Sequence, residues 1–194
     1  MSLTLADIST ALMATITAIK LNMLLPALVI AFLWCINVVN WMGNDFLRVL
    51  ALYPRHWAGI PGIFFSPLVH ANAEHLLFNS VPLFLLIAFL SAMVGPLYFS
   101  EISAAIVIVS GSFLWLVGRK GLHVGASGVI MGYWTYILAY TWRHPSLNAV
   151  IMSVIMLYYL GSLVFSLFPA EEKTSWEGHC CGAAAGIIVA HFLS

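Results

Sequence analysis

The feature that most constrains this chain is a succession of apolar stretches, each near the length of a bilayer crossing and separated from the next by a short, chemically explicit break. The stretches run from about Asn22 to Met42, His75 to Val94, Leu97 to Val117, Ser127 to Trp142, Leu147 to Phe168, and Gly178 to the carboxyl end. About 20 apolar residues make one helical crossing. The breaks are Gly95-Pro96, Gly118-Arg119-Lys120-Gly121, Arg143-His144-Pro145 and "PAEEKTSWEG", where glycine, proline and charge end a membrane helix. After the first span, "GNDFLRVLALYPRHWAGIPGIFFSPLVHANAE" mixes charge, proline, glycine and aromatics in a way no single crossing would. The pattern predicts an all-α membrane protein with six transmembrane helices and a long, partly interfacial first loop. Residues 22–194 form one membrane domain, because 194 residues spent on six crossings leave no room for a separate soluble one. Residues 1–21 carry Asp7 and lack a basic start, so they read as an amino-terminal interfacial segment rather than a signal peptide. A composition 62% hydrophobic and 7% charged, with a mean hydropathy of +1.02, agrees.

Charge excludes one class of partner. The net charge is zero and no basic run occurs, so nucleic acid finds no footprint. Cys35, Cys180 and Cys181 are odd in number and lie in apolar segments without paired spacing. They read as small buried residues rather than a disulfide framework or zinc site. Arg48, Arg55, Arg119, Lys120 and Lys173 fall on the odd-numbered loops, against Lys20 and Arg143 on the opposite side. Taken alone, that bias would place the odd loops in the cytoplasm.

Polar groups at helix ends inside a bilayer are informative, because burying them requires a partner or a purpose. Ser127 opens the fourth span after a loop whose glycines permit tight turns. The free N–H groups and positive dipole of a helix start could stabilise an oxyanion beside its hydroxyl. His179 opens the sixth span, with Gly182 and Gly186 on its own face. Gly128 and Gly132 give the fourth span a matching small face, so the two helices can pack closely and bring Ser127 and His179 together. Taken alone, GASG is more often a packing device and a lone histidine an interfacial hydrogen-bonding residue; the combination raises the odds. A serine nucleophile needs a base, and neutral histidine is the usual one. Spans two to six contain no Asp, Glu101 falls near the far end of the bundle, and Glu177 reads as helix-start capping or solvation. A Ser-His dyad is therefore favoured over a triad. His75 and Asn79, four residues apart, share one face at the start of span two and could donate to a developing negative charge, or serve as helix-to-helix glue.

The ordered set HxxxN (His75, Asn79), GxSG (Gly125, Ala126, Ser127, Gly128) and HxxGxxxG (His179, Gly182, Gly186) resembles the rhomboid family of intramembrane serine proteases. The resemblance implies a rhomboid-like six-helix bundle in which Ser127 is nucleophile and His179 general base and acid. The Ser127 N–H, His75 and Asn79 would stabilise the oxyanion. His70 matches a family histidine at the loop-to-helix junction. Substrates would be transmembrane segments of other proteins, cut near their ends, with the lipid bilayer as surroundings and neither cofactor nor metal required. By resemblance to bacterial relatives the protein would sit in the bacterial inner membrane with its site toward the extracytoplasmic face, against the bare charge count. Three positions depart from the family. A Trp-Arg pair would fall at Pro61-Gly62, leaving Arg55 and Trp57 to brace the loop; an acidic residue would fall at Ser91, though Gly95 matches the glycine after it; and Met131 stands where a tyrosine often packs on the histidine. The competing readings are a catalytically silent, client-binding relative, which would typically lack the serine or histidine, and a small transporter, which would show more midplane charge.

Overall fold

A computed structural model describes residues 4–168 and 175–193. Lys173, counted among the basic loop residues, lies outside them. The chain begins with α1 (Leu5–Asn22), started by a reciprocal cap in which Thr4 Oγ accepts from the Asp7 N–H and the Asp7 carboxylate accepts from the Thr4 N–H. Met23 keeps helical dihedrals, so α1 runs with only a joint into α2 (Leu24–Met42). Pro26 sits in the first turn of α2, where a missing N–H is tolerated. α1 packs on α4 and α7, described below.

The first loop is a built structure. Two buried asparagines of α2 hold it: Asn37 donates to the Leu33 and Leu68 carbonyls and accepts from the His70 N–H, while Asn40 accepts from the Leu47 N–H. Within the loop lies α3 (Gly62–Phe65), flanked by short 3-10 turns. The structure explains the departure at Pro61-Gly62: Gly62 lies against the backbone of Leu52, and any side chain there would collide with it. Arg55 braces the loop instead, its backbone N–H donating to the Trp115 carbonyl and its guanidinium to that of Leu116. Trp57 does not share that work. It is 83% exposed, and the indoles that tie the loop down are Trp115, donating to the His56 carbonyl, and Trp41, donating to that of His70.

The remaining elements are α4 (Ala73–Val94), α5 (Pro96–Val117), α6 (Ser127–Arg143), α7 (Leu147–Leu160) with a 3-10 continuation over Gly161–Leu167, and α8 (Trp176–Phe192). Asn72 caps α4 by accepting from the His75 N–H, and Gly95, at φ +84°, turns the chain into α5. Among the described residues, four helical segments are long and apolar enough to cross a membrane: Leu24–Met42, Ala73–Val94, Pro96–Val117 and Leu147–Leu167. α6 and α8, at 17 residues each, are shorter and sit inside the others. Every residue of α6 from Val129 to Ile137 is buried, as expected of a helix enclosed on all sides. Large apolar side chains such as Leu28, Phe32, Phe78 and Val81 point outward, which suits a lipid surround. This is a multi-pass, all-helical membrane bundle.

α6 and α8 meet backbone to backbone. A Cβ on Gly182 would run into the Gly128 carbonyl, and one on Gly186 into the Gly132 carbonyl and the Thr135 hydroxyl. Thr135 also donates across the interface to the Ala183 carbonyl. At the other end Arg143 donates to the Ala190 and His191 carbonyls, placing its charge at the negative end of α8. Two sequence expectations change. Span six begins at Trp176, so Glu177 lies inside the first turn of α8; it is buried and ion-paired with Arg119 rather than solvated. Cys35 faces outward, whereas Cys181 is buried. The small size of cysteine fits either side of a membrane helix.

Candidate active site

The structure gathers the singled-out polar residues around one cavity of about 560 Å³, whose walls include His75, Asn79, Ser127, Met131 and His179. Each arrives on a different support. Ser127 is the first residue of α6, so its N–H and those following it begin the helix without intrahelical partners. The turn that delivers it needs Gly125, whose φ is +107° and whose absent side chain leaves room for two others. A Cβ there would lie 2.6 Å from His75 Cε1, 2.8 Å from His75 Nε2 and 3.4 Å from Asn79 Nδ2. Both nitrogens of the α4 pair therefore point at the turn before the serine.

That turn is held from the first loop. The Gly125 N–H donates to the Ser66 carbonyl at 3.0 Å, and the Ala126 N–H to His70 Nε2 at 3.3 Å. His70 is buried and its ring meets that of His75 edge-on at 5.2 Å. Burial, and secondarily the neighbouring His75, push its pKa down to about 4 against a weaker pull from the Leu68 carbonyl. A neutral ring is what an accepting Nε2 requires.

Asn79 Nδ2 is buried with no hydrogen-bond partner among the described residues. An idle amide donor in a buried position is costly and asks for an explanation. Here it faces the cavity wall that also carries Ser127, where an anionic oxygen would satisfy it.

His179 lies in the first turn of α8, and its Nδ1 is 2.8 Å from the Ser166 carbonyl oxygen. A carbonyl can only accept, so the proton sits on Nδ1 and Nε2 carries the lone pair. Ser166 is fixed in turn: its hydroxyl donates to the Leu163 carbonyl and lies 3.7 Å from the Met131 sulfur. Met131, which stands where the family often has a tyrosine packing on the histidine, therefore touches Ser166, whose carbonyl holds the ring. Sequence reasoning did not find Ser166, because a main-chain acceptor leaves no mark in the residue pattern. An imidazole so held can take a proton at Nε2 from a group in the cavity. Among the described residues, no cluster of three His, Cys, Asp or Glu side chains could hold a metal.

The rhomboid domain profile matches residues 55–194, most of the chain and all of this site. The chain belongs to the rhomboid family. Uncharacterized proteins of Mycobacterium tuberculosis and Mycobacterium bovis are each 30% identical to this rhomboid over 174 residues, covering 85% of it and 72% of their own length. A protein of Acanthamoeba polyphaga mimivirus that carries the rhomboid name is 32% identical over 126 residues, 61% of this chain and 67% of its own. The match begins at residue 55, so in this rhomboid it takes in the Arg55 brace, α3 and the Ser66 and His70 contacts along with the five helices α4 to α8, and leaves out α1 and α2. Glycines at 128, 132, 182 and 186, singled out as packing residues, lie at the α6–α8 contact.

Proposed function

We propose that this rhomboid is an intramembrane serine endopeptidase that cleaves transmembrane segments of other membrane proteins by a Ser127-His179 dyad, in a bacterial inner membrane with the cavity open toward the extracytoplasmic face. The observation that carries the reading is the His179 Nδ1 contact to the Ser166 carbonyl, which leaves Nε2 basic on the cavity that Ser127 lines. His179 Nε2 takes the Ser127 hydroxyl proton as Oγ bonds to the scissile carbonyl carbon. The carbonyl oxygen becomes an oxyanion that the Ser127 N–H, His75 and Asn79 receive. The imidazolium then returns its proton to the amide nitrogen as the C–N bond breaks, and water repeats the sequence on the acyl-enzyme with the same base. The Ser166 carbonyl replaces a carboxylate in orienting the ring and accommodates the imidazolium through its dipole.

The test is cleavage of a tagged single-span substrate by the purified protein in detergent, comparing wild type with Ser127→Ala and His179→Ala. Both variants are expected to lose cleavage while keeping the wild-type melting behaviour. A wild type that cuts none of several substrates and leaves Ser127 unlabelled by a fluorophosphonate would favour a client-binding protein instead.

A further inference from the structure

Two contacts tie the loop that delivers Ser127 to the start of the helix that carries His179, and neither belongs to the dyad or the oxyanion donors. His123 Nε2 lies 3.0 Å from the Arg119 carbonyl, which can only accept, so the Nε2 proton is fixed and Nδ1 is an acceptor. Nδ1 lies 2.7 Å from Ser175 Oγ, and the Ser175 hydroxyl therefore donates to it. The same oxygen accepts from the Gly178 N–H at 3.3 Å, and the Ser175 carbonyl accepts from the His179 N–H at 3.2 Å. One directed chain of hydrogen bonds thus runs from the Arg119 carbonyl through His123 and Ser175 into the first turn of α8. The second contact is the Arg119–Glu177 ion pair, which joins the residue that starts the chain to a buried carboxylate in that same turn. His123 is itself anchored, since its N–H and carbonyl both pair with Leu52 of the first loop at 2.8 and 3.0 Å.

We propose that His123 and Ser175, with the Arg119–Glu177 pair beside them, form a latch that sets the position of His179 relative to Ser127. The inference rests on the protease reading and adds two positioning residues to it. The glycine contact fixes how far apart α6 and α8 stand within the membrane. It ends where Gly128 meets the Gly178 carbonyl, and the loop before Ser127 and Ser175 ahead of α8 lie beyond it; the latch joins those two. His123 and Ser175 both line the cavity, so the joint is made where a substrate strand and water would enter. Proton transfer between hydroxyl and imidazole demands a near-attack geometry, and a misplacement of about 1 Å can cost roughly 100-fold in rate.

The experiment compares full-length wild type with His123→Ala, Ser175→Ala, Ser175→Thr and the His123→Ala/Ser175→Ala double variant in detergent, reading kcat and KM for a single-span substrate and the rate of fluorophosphonate labelling at Ser127. The latch predicts that kcat and labelling fall together, roughly 10- to 100-fold, in both alanine variants while KM stays within about twofold. Ser175→Thr keeps the hydroxyl and retains activity. The double variant is no worse than the poorer single one, because one link is broken once. His123→Ala at wild-type kcat, with Ser175→Ala alone impaired, would reduce Ser175 to a helix cap and overturn the latch. Additive losses in the double variant would overturn it too. A wild type that neither cleaves nor labels would instead bring down the protease reading, and the latch as a catalytic device with it.

Discussion

At the scale of single residues, the site is a set of groups whose hydrogen-bonding capacity is either committed or deliberately left open. His70 Nε2 and the Ser166 carbonyl are committed, the first accepting from Ala126 and the second from His179. Asn79 Nδ2 is open. Removing it should cost little in the resting protein, where it is unpaired, and much at the moment a negative oxygen forms. Asn79→Ala is therefore expected to lower kcat about 100- to 1,000-fold with KM nearly unchanged and thermal stability equal to or above wild type, measured by steady-state cleavage and thermal unfolding in detergent. A parallel loss of stability would assign Asn79 to packing. Ser127, His179, His75 and Asn79 could be picked out in the sequence because each is a polar group expensive to place in a membrane helix, at a spacing that fixes its face. Ser166, His123 and Ser175 could not. Ser166 acts through an atom every residue has, and His123 and Ser175 meet across 52 positions through a loop whose path no periodicity specifies.

At the scale of elements, the controlling feature is the α6–α8 contact, where the absence of side chains is the design. Gly182→Ala places a methyl group against the Gly128 carbonyl, and a backbone oxygen cannot swing away as a side chain would. The expected result is a loss of about 1–3 kcal/mol in thermal unfolding, with activity falling further as the two helices are pushed apart. Gly121→Ala is the matched control, since nothing lies within 4 Å of the added methyl. Equal behaviour of the two variants would mean that the helices can slide to absorb the methyl. The GxxxG spacing made this contact legible from the sequence. The division of the fifth span was not: Leu147 to Phe168 reads as one apolar run, yet α7 ends at Leu160 and the chain tightens into 3-10 geometry over Gly161–Leu167. Only Gly161 marks the change, and a single glycine is compatible with an uninterrupted membrane helix. That 3-10 stretch brings the Ser166 carbonyl to His179, so the element hardest to read carries the orienting atom.

At the scale of the whole molecule, the bundle has two unlike ends. One carries the cavity, the built first loop and the loop 118–126; the other carries the α4–α5 turn, Arg143 and the packing of α1 on α4 and α7. Among the described residues, Arg48, Arg55, Arg119 and Lys120 against Lys20 and Arg143 would place the cavity in the cytoplasm by charge alone, but Arg55 and Arg119 are drawn into contacts with the fold. For a cavity open to the extracytoplasmic face, Lys120→Cys in a chain with Cys35, Cys180 and Cys181 replaced is expected to react with a membrane-impermeant maleimide in intact cells. Reaction only after the membrane is broken would reverse the orientation. The held imidazole has a further consequence, for how such a protein could be read by genetics. If a main-chain oxygen at position 166 fixes the ring, a scan replacing each side chain with alanine leaves that oxygen in place, and descent from a common ancestor is free to vary the residue that supplies it. Mutational and comparative surveys would then both count two reacting side chains and pass over the third participant, which only altering the peptide linkage itself would expose.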